Sequence, residues 1–321
     1  MRIKFKKLIK ILSINFVILC IIFVLTEIFF FLFFFIKSMP HIEAFKKENV
    51  KIDYRYTRPH VYNLRRYKLT FRKMTGKSKK RPIVFLGCSY TYGSFLKNTQ
   101  TLAYKVHQLT QRTVYKRGVC GGSINQILEQ LTSGVLKKEV PDAEYLIYVY
   151  IVSHIDRLFF YQIESLETYI NNRYEIKNGK LVKIENPKLP YLYSLFTVKY
   201  FQQIIAGIRA DKEFYDDIPL FKSIMTEIMN QLKKQYPNSK YVILMYPESS
   251  TVGIERGKEQ AAETNKIVKD YCEKLGFWVI DAEDLTQEPI RNSEYRCLDV
   301  DHPNERAWDI IAPALVKKLN L

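Results

Sequence analysis

The sequence predicts an α/β domain in which a parallel sheet of five strands is covered by helices on both faces, giving three layers. Two observations predict this fold. From residue 81 onward, short apolar runs alternate with longer segments of helical periodicity. The apolar runs are continuous, which is typical of parallel strands buried on both faces. A third observation concerns the residues before 81, where a long apolar run predicts a membrane helix.

Most strands of the domain are marked by a short apolar run, and the helices by periodic segments. The predicted strands are Ile83–Leu86, Val114–Lys116, Tyr145–Val152, Tyr241–Tyr246 and Phe277–Ile280. The predicted helices are Thr101–Leu109, Ile124–Leu136, Leu220–Lys234, Gln260–Leu275 and Glu305–Leu319. In the fourth helix, apolar and small residues recur every three or four positions from Ala261 to Leu275, so one face is suited to the core.

Residues 155–215 interrupt this alternation. They are rich in aromatic residues and contain two short strand-like runs, Tyr174–Ile176 and Leu181–Ile184, on either side of Asn178-Gly179. An Asn-Gly pair between two such runs predicts a two-residue hairpin turn. We therefore expect an insertion beside the sheet that contains a β-hairpin.

The positive charge of the chain is concentrated at its N-terminal end. The net charge is +17, which by itself suggests a nucleic-acid-binding protein. Residues 1–80, however, hold 19 Lys and Arg against 4 Asp and Glu, a net charge of +15. Residues 81–321 are therefore nearly neutral, and we expect no nucleic-acid partner.

Residues 11–36 form a 26-residue run whose only charge is Glu27. A helix needs about 20 apolar residues to cross a bilayer, whereas the apolar part of a signal peptide has about 7–15. The run therefore predicts one uncleaved transmembrane helix, within an N-terminal unit of residues 1–36. Five basic residues precede it within ten positions, which predicts a cytoplasmic N-terminus and an extracytoplasmic domain.

Residues 37–80 form a basic segment with interleaved tyrosines, in which 14 Lys and Arg face 3 acidic residues. Beside a membrane helix, such a segment favours anionic lipid headgroups or an anionic surface polymer. A solvated stalk is the equally weighted alternative. We place the folded domain at residues 81–321.

Two loops that follow predicted strands carry catalytic residue types. The first strand runs into Gly87-Cys88-Ser89-Tyr90-Thr91-Tyr92-Gly93, and a serine in such a turn can be an exposed nucleophile. A neutral hydroxyl needs an adjacent base, and His302, just before the last helix, is the candidate. Asp299 lies three residues before His302, where it would orient the imidazole and stabilise its cation.

These two motifs resemble those of the SGNH/GDSL esterase and acylhydrolase family, in its membrane-anchored bacterial form. The first block of that family is Gly-Asp-Ser-x-(Thr/Ser)-x-Gly, and this chain departs from it only at Cys88. Its last block, Asp-x-x-His, often continues with Pro-Asn, as Asp299 to Asn304 does here. The resemblance implies a flavodoxin-like sheet and covers roughly residues 81–152 and 240–320.

The resemblance also implies an oxyanion hole for the reaction. In the family, backbone N–H groups of the nucleophile and of a glycine after the second strand donate to the oxyanion, which here would be Ser89 and Gly121. A third donor is an asparagine after the third strand. This chain has no asparagine there, and His154 or Ser153 takes its place.

Other chemistry is not indicated by the sequence. There is no Cys-x-x-Cys or His-Glu-x-x-His spacing, no Walker A motif and no Rossmann glycine pattern, so we expect neither metal nor organic cofactor. Cys88 and Cys120 follow neighbouring predicted strands. They are either two buried thiols, the simpler reading, or a disulfide.

The sequence thus predicts a membrane-anchored serine esterase or deacylase. Its expected substrates are O-acyl, first of all O-acetyl, esters of cell-surface glycans, because an outward-facing tether would hold the domain against the envelope. Two alternatives remain: an O-acyltransferase that uses the same triad on a surface polysaccharide, and a catalytically silent glycan-binding protein.

Overall fold

A computed structural model describes the following parts of the chain. They are residues 15–16, 18–29, 32, 71–119, 122–155, 157–158, 173–184, 217–247, 258–297 and 302–321.

A six-stranded sheet forms the centre of the domain, and a separate two-stranded sheet lies beside it. The strands are β1 Phe71–Met74, β2 Ile83–Gly87, β3 Val114–Gly118, β4 Tyr145–Tyr150, β5 Arg173–Lys177, β6 Lys180–Ile184, β7 Lys240–Met245 and β8 Trp278–Asp281. The central order is β1-β3-β2-β4-β7-β8, and the five strands from β3 to β8 are parallel. This confirms the predicted parallel sheet and its doubly wound order.

Helices cover both faces of this sheet. They are α1 Ser89–Tyr92, α2 Leu102–Thr110, α3 Ile124–Thr132, α4 Val135–Glu139, α5 Asp217–Gln235, α6 Lys258–Leu275, α7 Ala282–Thr286 and α8 Glu305–Leu319. Short 3₁₀ turns occur at Asn98–Gln100 and Ser293–Tyr295.

The hydrophobic core is divided by the sheet into two clusters. In β2, Val84 and Leu86 belong to the cluster that packs against α3, α5 and α6, whereas Ile83 and Phe85 belong to the one against α2 and α8. All five residues of β2 are buried. A strand that contributes to two cores needs apolar residues at every position, which explains the continuous apolar runs.

The sheet begins earlier than the sequence predicts. β1 pairs antiparallel with β3, in register from Phe71 opposite Arg117 to Met74 opposite Val114. This strand lies inside residues 37–80, the segment predicted to be a stalk, so the folded domain includes at least ten residues before the predicted boundary. Half of its four residues are basic, which conceals it in the sequence and is common on edge strands.

Two further segments test the predicted elements. The region predicted as one helix, Ile124–Leu136, contains α3 and the start of α4, because Gly134 takes a left-handed conformation between them (φ 70°).

In the insertion, β5 and β6 pair antiparallel around Asn178 and Gly179. Both turn residues have positive φ, which confirms the predicted hairpin. The remainder of 155–215 lies mostly outside the described residues.

The predicted membrane helix, residues 11–36, is described only in part. Residues 18–29 are helical, and most of their apolar side chains are exposed. Within the described residues, no helix combines the length and the apolar character needed to cross a bilayer. The rest of the predicted span and nearly all of residues 37–80 lie outside the described part of the chain.

Candidate active site

Ser89 is presented by a tight turn at the end of β2. Gly87 has a φ of 149°, and a Cβ there would collide with Thr91 Oγ1 and the Val149 carbonyl oxygen. Thr91 Oγ1 in turn donates to the Leu86 carbonyl at 3.1 Å. The glycine and the threonine of the motif therefore shape the turn, and Ser89 follows as the first residue of α1.

A glycine outside the predicted motifs lets α1 approach β3. A Cβ on Gly118 would overlap the Tyr92 amide nitrogen and the Cys88 carbonyl oxygen. The last residue of β3 must therefore be glycine for the nucleophile turn to sit against the sheet. Cys88 itself is fully buried and carries a free thiol, while Cys120 lies outside the described residues.

The structure brings Ser89 and His302 together, although 213 positions separate them in the chain. His302 Nε2 lies 2.8 Å from Ser89 Oγ, within hydrogen-bonding reach. Ser89 is 6% exposed and His302 is half-buried. With a proton on Nδ1, the imidazole accepts the serine hydroxyl proton at Nε2, which is the arrangement that activates a nucleophile.

Two aromatic rings flank the His302 imidazole. The ring centroids of Tyr90 and Phe95 lie 5.2 Å and 5.0 Å from that of His302. Phe95 has a φ of 68°, an uncommon backbone conformation for a bulky residue. Strain of this kind persists only where the surrounding structure enforces it, and it clusters at functional sites.

His302 is also held by the loop that leads into α8. The Cys297 amide donates to the His302 carbonyl at 2.8 Å, and the Asn304 amide donates to the Tyr295 carbonyl at 3.0 Å. The Asn304 side chain donates from Nδ2 to the Arg296 carbonyl at 2.9 Å and accepts at Oδ1 from the first turn of α8. Asn304, which follows the His-Pro pair, thus caps α8 and also ties the preceding loop to the start of that helix. Asp299 lies outside the described residues.

The loop after β3 lies beside the nucleophile turn. The Val119 amide donates to the Gly87 carbonyl at 2.9 Å, and the Gly122 amide donates to the Val119 carbonyl at 2.8 Å. Gly121, the predicted oxyanion donor of this loop, is not among the described residues.

His154 is placed in the core. It has no exposed surface, its Nδ1 lies 2.5 Å from Tyr148 Oη, and the two rings are stacked. Burial raises the pKa of Tyr148, so the phenol keeps its proton and donates to Nδ1. The prediction that His154 donates to an oxyanion does not fit this position, because a substrate cannot contact a ring without accessible surface. Ser153 is partly exposed.

Comparisons with known proteins found similarity to solved structures. No protein-family model matches the sequence, and no curated protein matches it. Among solved structures, one described as a lipolytic protein of the G-D-S-L family from Desulfitobacterium hafniense DCB-2 has 9% identity and a TM-score of 0.45, covering 74% of this chain and 99% of that one. Axe2, an acetylxylan esterase from Geobacillus stearothermophilus, has 10% identity and a TM-score of 0.45, covering 77% and 97%. Similarities this distant assign no activity to the chain.

Proposed function

We propose that this protein is a serine ester hydrolase with Ser89 as nucleophile and His302 as general base. The observation that carries the proposal is the 2.8 Å approach of His302 Nε2 to Ser89 Oγ. Ser89 lies two residues beyond the carboxyl end of β2, where catalytic groups of open parallel sheets gather, and His302 lies beside it.

The reaction would proceed through an acyl-enzyme. Ser89 Oγ attacks the ester carbonyl carbon as its proton passes to His302 Nε2. When the carbonyl re-forms, the bond to the alkoxide breaks, and the imidazolium protonates that alkoxide as it leaves. A water molecule then gives a proton to His302 and attacks the acyl carbon. The bond from that carbon to Ser89 Oγ breaks, His302 returns the proton to Oγ, and the acid is released.

We assign the supporting roles from the family resemblance. Asp299 would accept a hydrogen bond from Nδ1–H of His302 and stabilise the imidazolium. The backbone N–H groups of Ser89 and Gly121 would donate to the oxyanion. Because His154 is buried, it has no part in this assignment, and the loop after β4 would contribute Ser153 or no donor at all.

We further propose that the substrate is an O-acyl, first of all O-acetyl, ester of a cell-surface glycan. This rests on the predicted anchor, which would hold residues 37–321 outside the cytoplasm with the basic segment near anionic lipid or polymer. Protease added to intact cells or spheroplasts should then digest the domain. A domain that is degraded only after the cells are lysed would contradict this orientation.

The catalytic assignment is tested with Ser89→Ala and His302→Ala on p-nitrophenyl acetate. Each should lower turnover by at least about 10³-fold without changing the far-UV circular dichroism spectrum. Ser133→Ala, at an exposed serine after α3, is the matched control and should be fully active. A serine-directed organophosphonate should label the wild type and leave Ser89→Ala unlabelled. Turnover retained by Ser89→Ala would refute the assignment.

The same assay separates hydrolysis from acyl transfer. Release of free acetate that does not depend on an added glycan indicates a hydrolase. Acetate that appears on a glycan hydroxyl, with little release to water, would indicate the acyltransferase alternative.

A further inference from the structure

A buried phenylalanine beside the candidate site has no role in the chemistry described above. Phe95 is 9% exposed, and its ring centroid lies 5.0 Å from that of the His302 imidazole. His302 Nε2 in turn lies 2.8 Å from Ser89 Oγ. Phe95 is therefore in contact with one of the two side chains between which the proton of the reaction passes.

A tight turn after α1 holds Phe95 in this place. The Leu96 amide donates to the Gly93 carbonyl at 3.1 Å, which closes a four-residue turn with Phe95 at its third position. Of the two central residues of this turn, only Phe95 has a positive φ, of 68°. This is the pattern of a type II turn, whose third position is normally glycine or asparagine. The Ser94 amide also donates to the Ser89 carbonyl at 3.0 Å, so the turn is bonded directly to the nucleophile residue.

Phenylalanine is an unfavourable residue for this position, because its Cβ makes a positive φ strained. Packing in the core would be the usual reason for a buried aromatic ring. Among the described residues, however, Phe95 belongs to neither of the two core clusters, whereas Tyr90 is a member of one of them and Leu96 packs against it. The Phe95 ring lies against the His302 imidazole instead. Its position is therefore explained by the site and not by the core.

The second ring that contacts His302 is fixed from the core. The Tyr90 ring lies 5.2 Å from the imidazole and 5.4 Å from the Tyr246 ring, which it meets edge to face. Tyr246 lies in turn 5.2 Å from Trp308 of α8. An imidazole packed against two rings has few rotamers open to it. Its Nε2 then stays directed at Ser89 Oγ, which is the alignment that proton transfer needs.

We propose that Phe95 is a positioning residue that keeps the His302 imidazole aligned with Ser89 Oγ. The inference rests on the proposed function, because it takes His302 as the general base. It also gives the strained turn a function. The segment that carries the nucleophile continues into a turn that places an apolar ring against the base, so one stretch of chain positions both partners of the proton transfer.

The test compares Phe95→Leu and Phe95→Tyr with the wild-type full-length protein on p-nitrophenyl acetate. Leucine keeps apolar bulk and the strained φ but lacks the ring, whereas tyrosine keeps the ring. For Phe95→Leu we expect kcat per active site to fall roughly 10- to 100-fold, with KM unchanged, because a misaligned base slows proton transfer without weakening ester binding. Phe95→Tyr should retain most of kcat. Active sites are counted by complete labelling with the serine-directed organophosphonate, so a loss of folded protein does not lower this kcat.

NMR of the histidine rings gives a readout that does not depend on turnover. In protein isotopically labelled at histidine Cε1, the resonance that is absent from His302→Ala belongs to His302. It should move in Phe95→Leu, because the ring current of Phe95 is lost. The matched control is Tyr104→Leu, since the Tyr104 ring lies 6.0 Å from the His107 imidazole on the same helix, α2. This variant should move the His107 resonance and leave both the His302 resonance and kcat unchanged.

Four results would overturn the inference and leave the proposed function standing. They are an unchanged kcat per active site in Phe95→Leu, an equal loss in Phe95→Tyr, an equal loss in Tyr104→Leu, and a His302 resonance that does not respond to removal of the Phe95 ring. The proposed function itself fails if the wild type turns over no ester or if Ser89→Ala stays active, and the inference then fails with it.

Discussion

At the scale of single residues, the role that the family resemblance implies for His154 differs from the position that the structure gives it. The family resemblance places a donor after β4, and an imidazole N–H would serve. In the structure the chain turns back after β4, with the His154 amide bonded to the Ile151 carbonyl at 3.0 Å, and the ring packs against Tyr148 and Tyr150. Desolvation there lowers the pKa of His154 well below 6.5, so the ring is neutral in the folded protein.

This burial predicts a pH dependence of stability. In the unfolded chain His154 has an ordinary pKa near 6.5, whereas in the folded protein its pKa is lowered. As the pH falls below 6.5, the unfolded state binds a proton that the folded state does not, so the free energy of unfolding decreases. The contribution is fully present above the unfolded pKa, and about 1.4 kcal/mol of it is lost between pH 7.5 and 5.5.

Denaturant unfolding of the wild type and of His154→Gln at pH 7.5, 6.5 and 5.5 measures this effect. Glutamine stays neutral and can still accept a hydrogen bond from Tyr148. The two proteins share the same carboxylates, so the pH dependence that these contribute cancels in the difference between the two free energies of unfolding. We expect the free energy of unfolding of the wild type to fall relative to that of His154→Gln as the pH is lowered. If the two free energies instead change with pH in parallel, His154 protonates freely in the folded state.

At the scale of elements, the sequence predicts those whose local pattern is sufficient. Four of the five parallel strands appear as apolar runs because both of their faces are buried, whereas β3 also buries Lys116 and Arg117. The hairpin appears because Asn178 and Gly179 suit a turn with positive φ at both positions. The pairing of Ser89 with His302 follows as well, since the two motifs that carry these residues are those of the first and last blocks of the family that the sequence resembles.

The elements that escape prediction depend on distant partners. β1 has four residues, two of them basic, and becomes a strand only because the outer edge of β3 is free to pair with it. The contact of Arg157 with Gly122 joins two loops and leaves no periodic pattern. The requirement for glycine at Gly118 likewise comes from the backbone of α1 packed against it, which no local signal reveals.

At the scale of the whole molecule, the C-terminal end of the basic segment overlaps the N-terminal part of the described domain. The net charge of +15 belongs to residues 1–80, and β1, the first strand in the described part of the chain, lies near their end. The last residues of the basic segment are thus part of the domain. Met74 is buried in the core, and Lys73 Nζ lies 5.7 Å from the centre of the Tyr115 ring.

The position of the domain boundary leads to a prediction about truncated chains. A chain that starts at residue 81, the boundary suggested by sequence, lacks β1 and exposes the edge of β3. Losing the buried Met74 side chain alone should cost about 2 kcal/mol, which for a domain of this size lowers Tm by roughly 4–8 °C. An unpaired strand edge also invites pairing with a second chain, so we expect self-association.

The comparison is a chain that starts at residue 66, which keeps β1. It also keeps the contacts that lead from β1 to β2, where the Gly76 amide donates to Thr113 Oγ1 and the Ser78 amide donates to the Gln111 carbonyl. Calorimetry gives the two Tm values, and analytical ultracentrifugation gives the two association states. Equal Tm values with both chains monomeric would contradict a structural role for β1. A lower Tm and association of the shorter chain alone would show that β1 belongs to the folded domain, because the edge of β3 would then depend on that strand for both stability and protection.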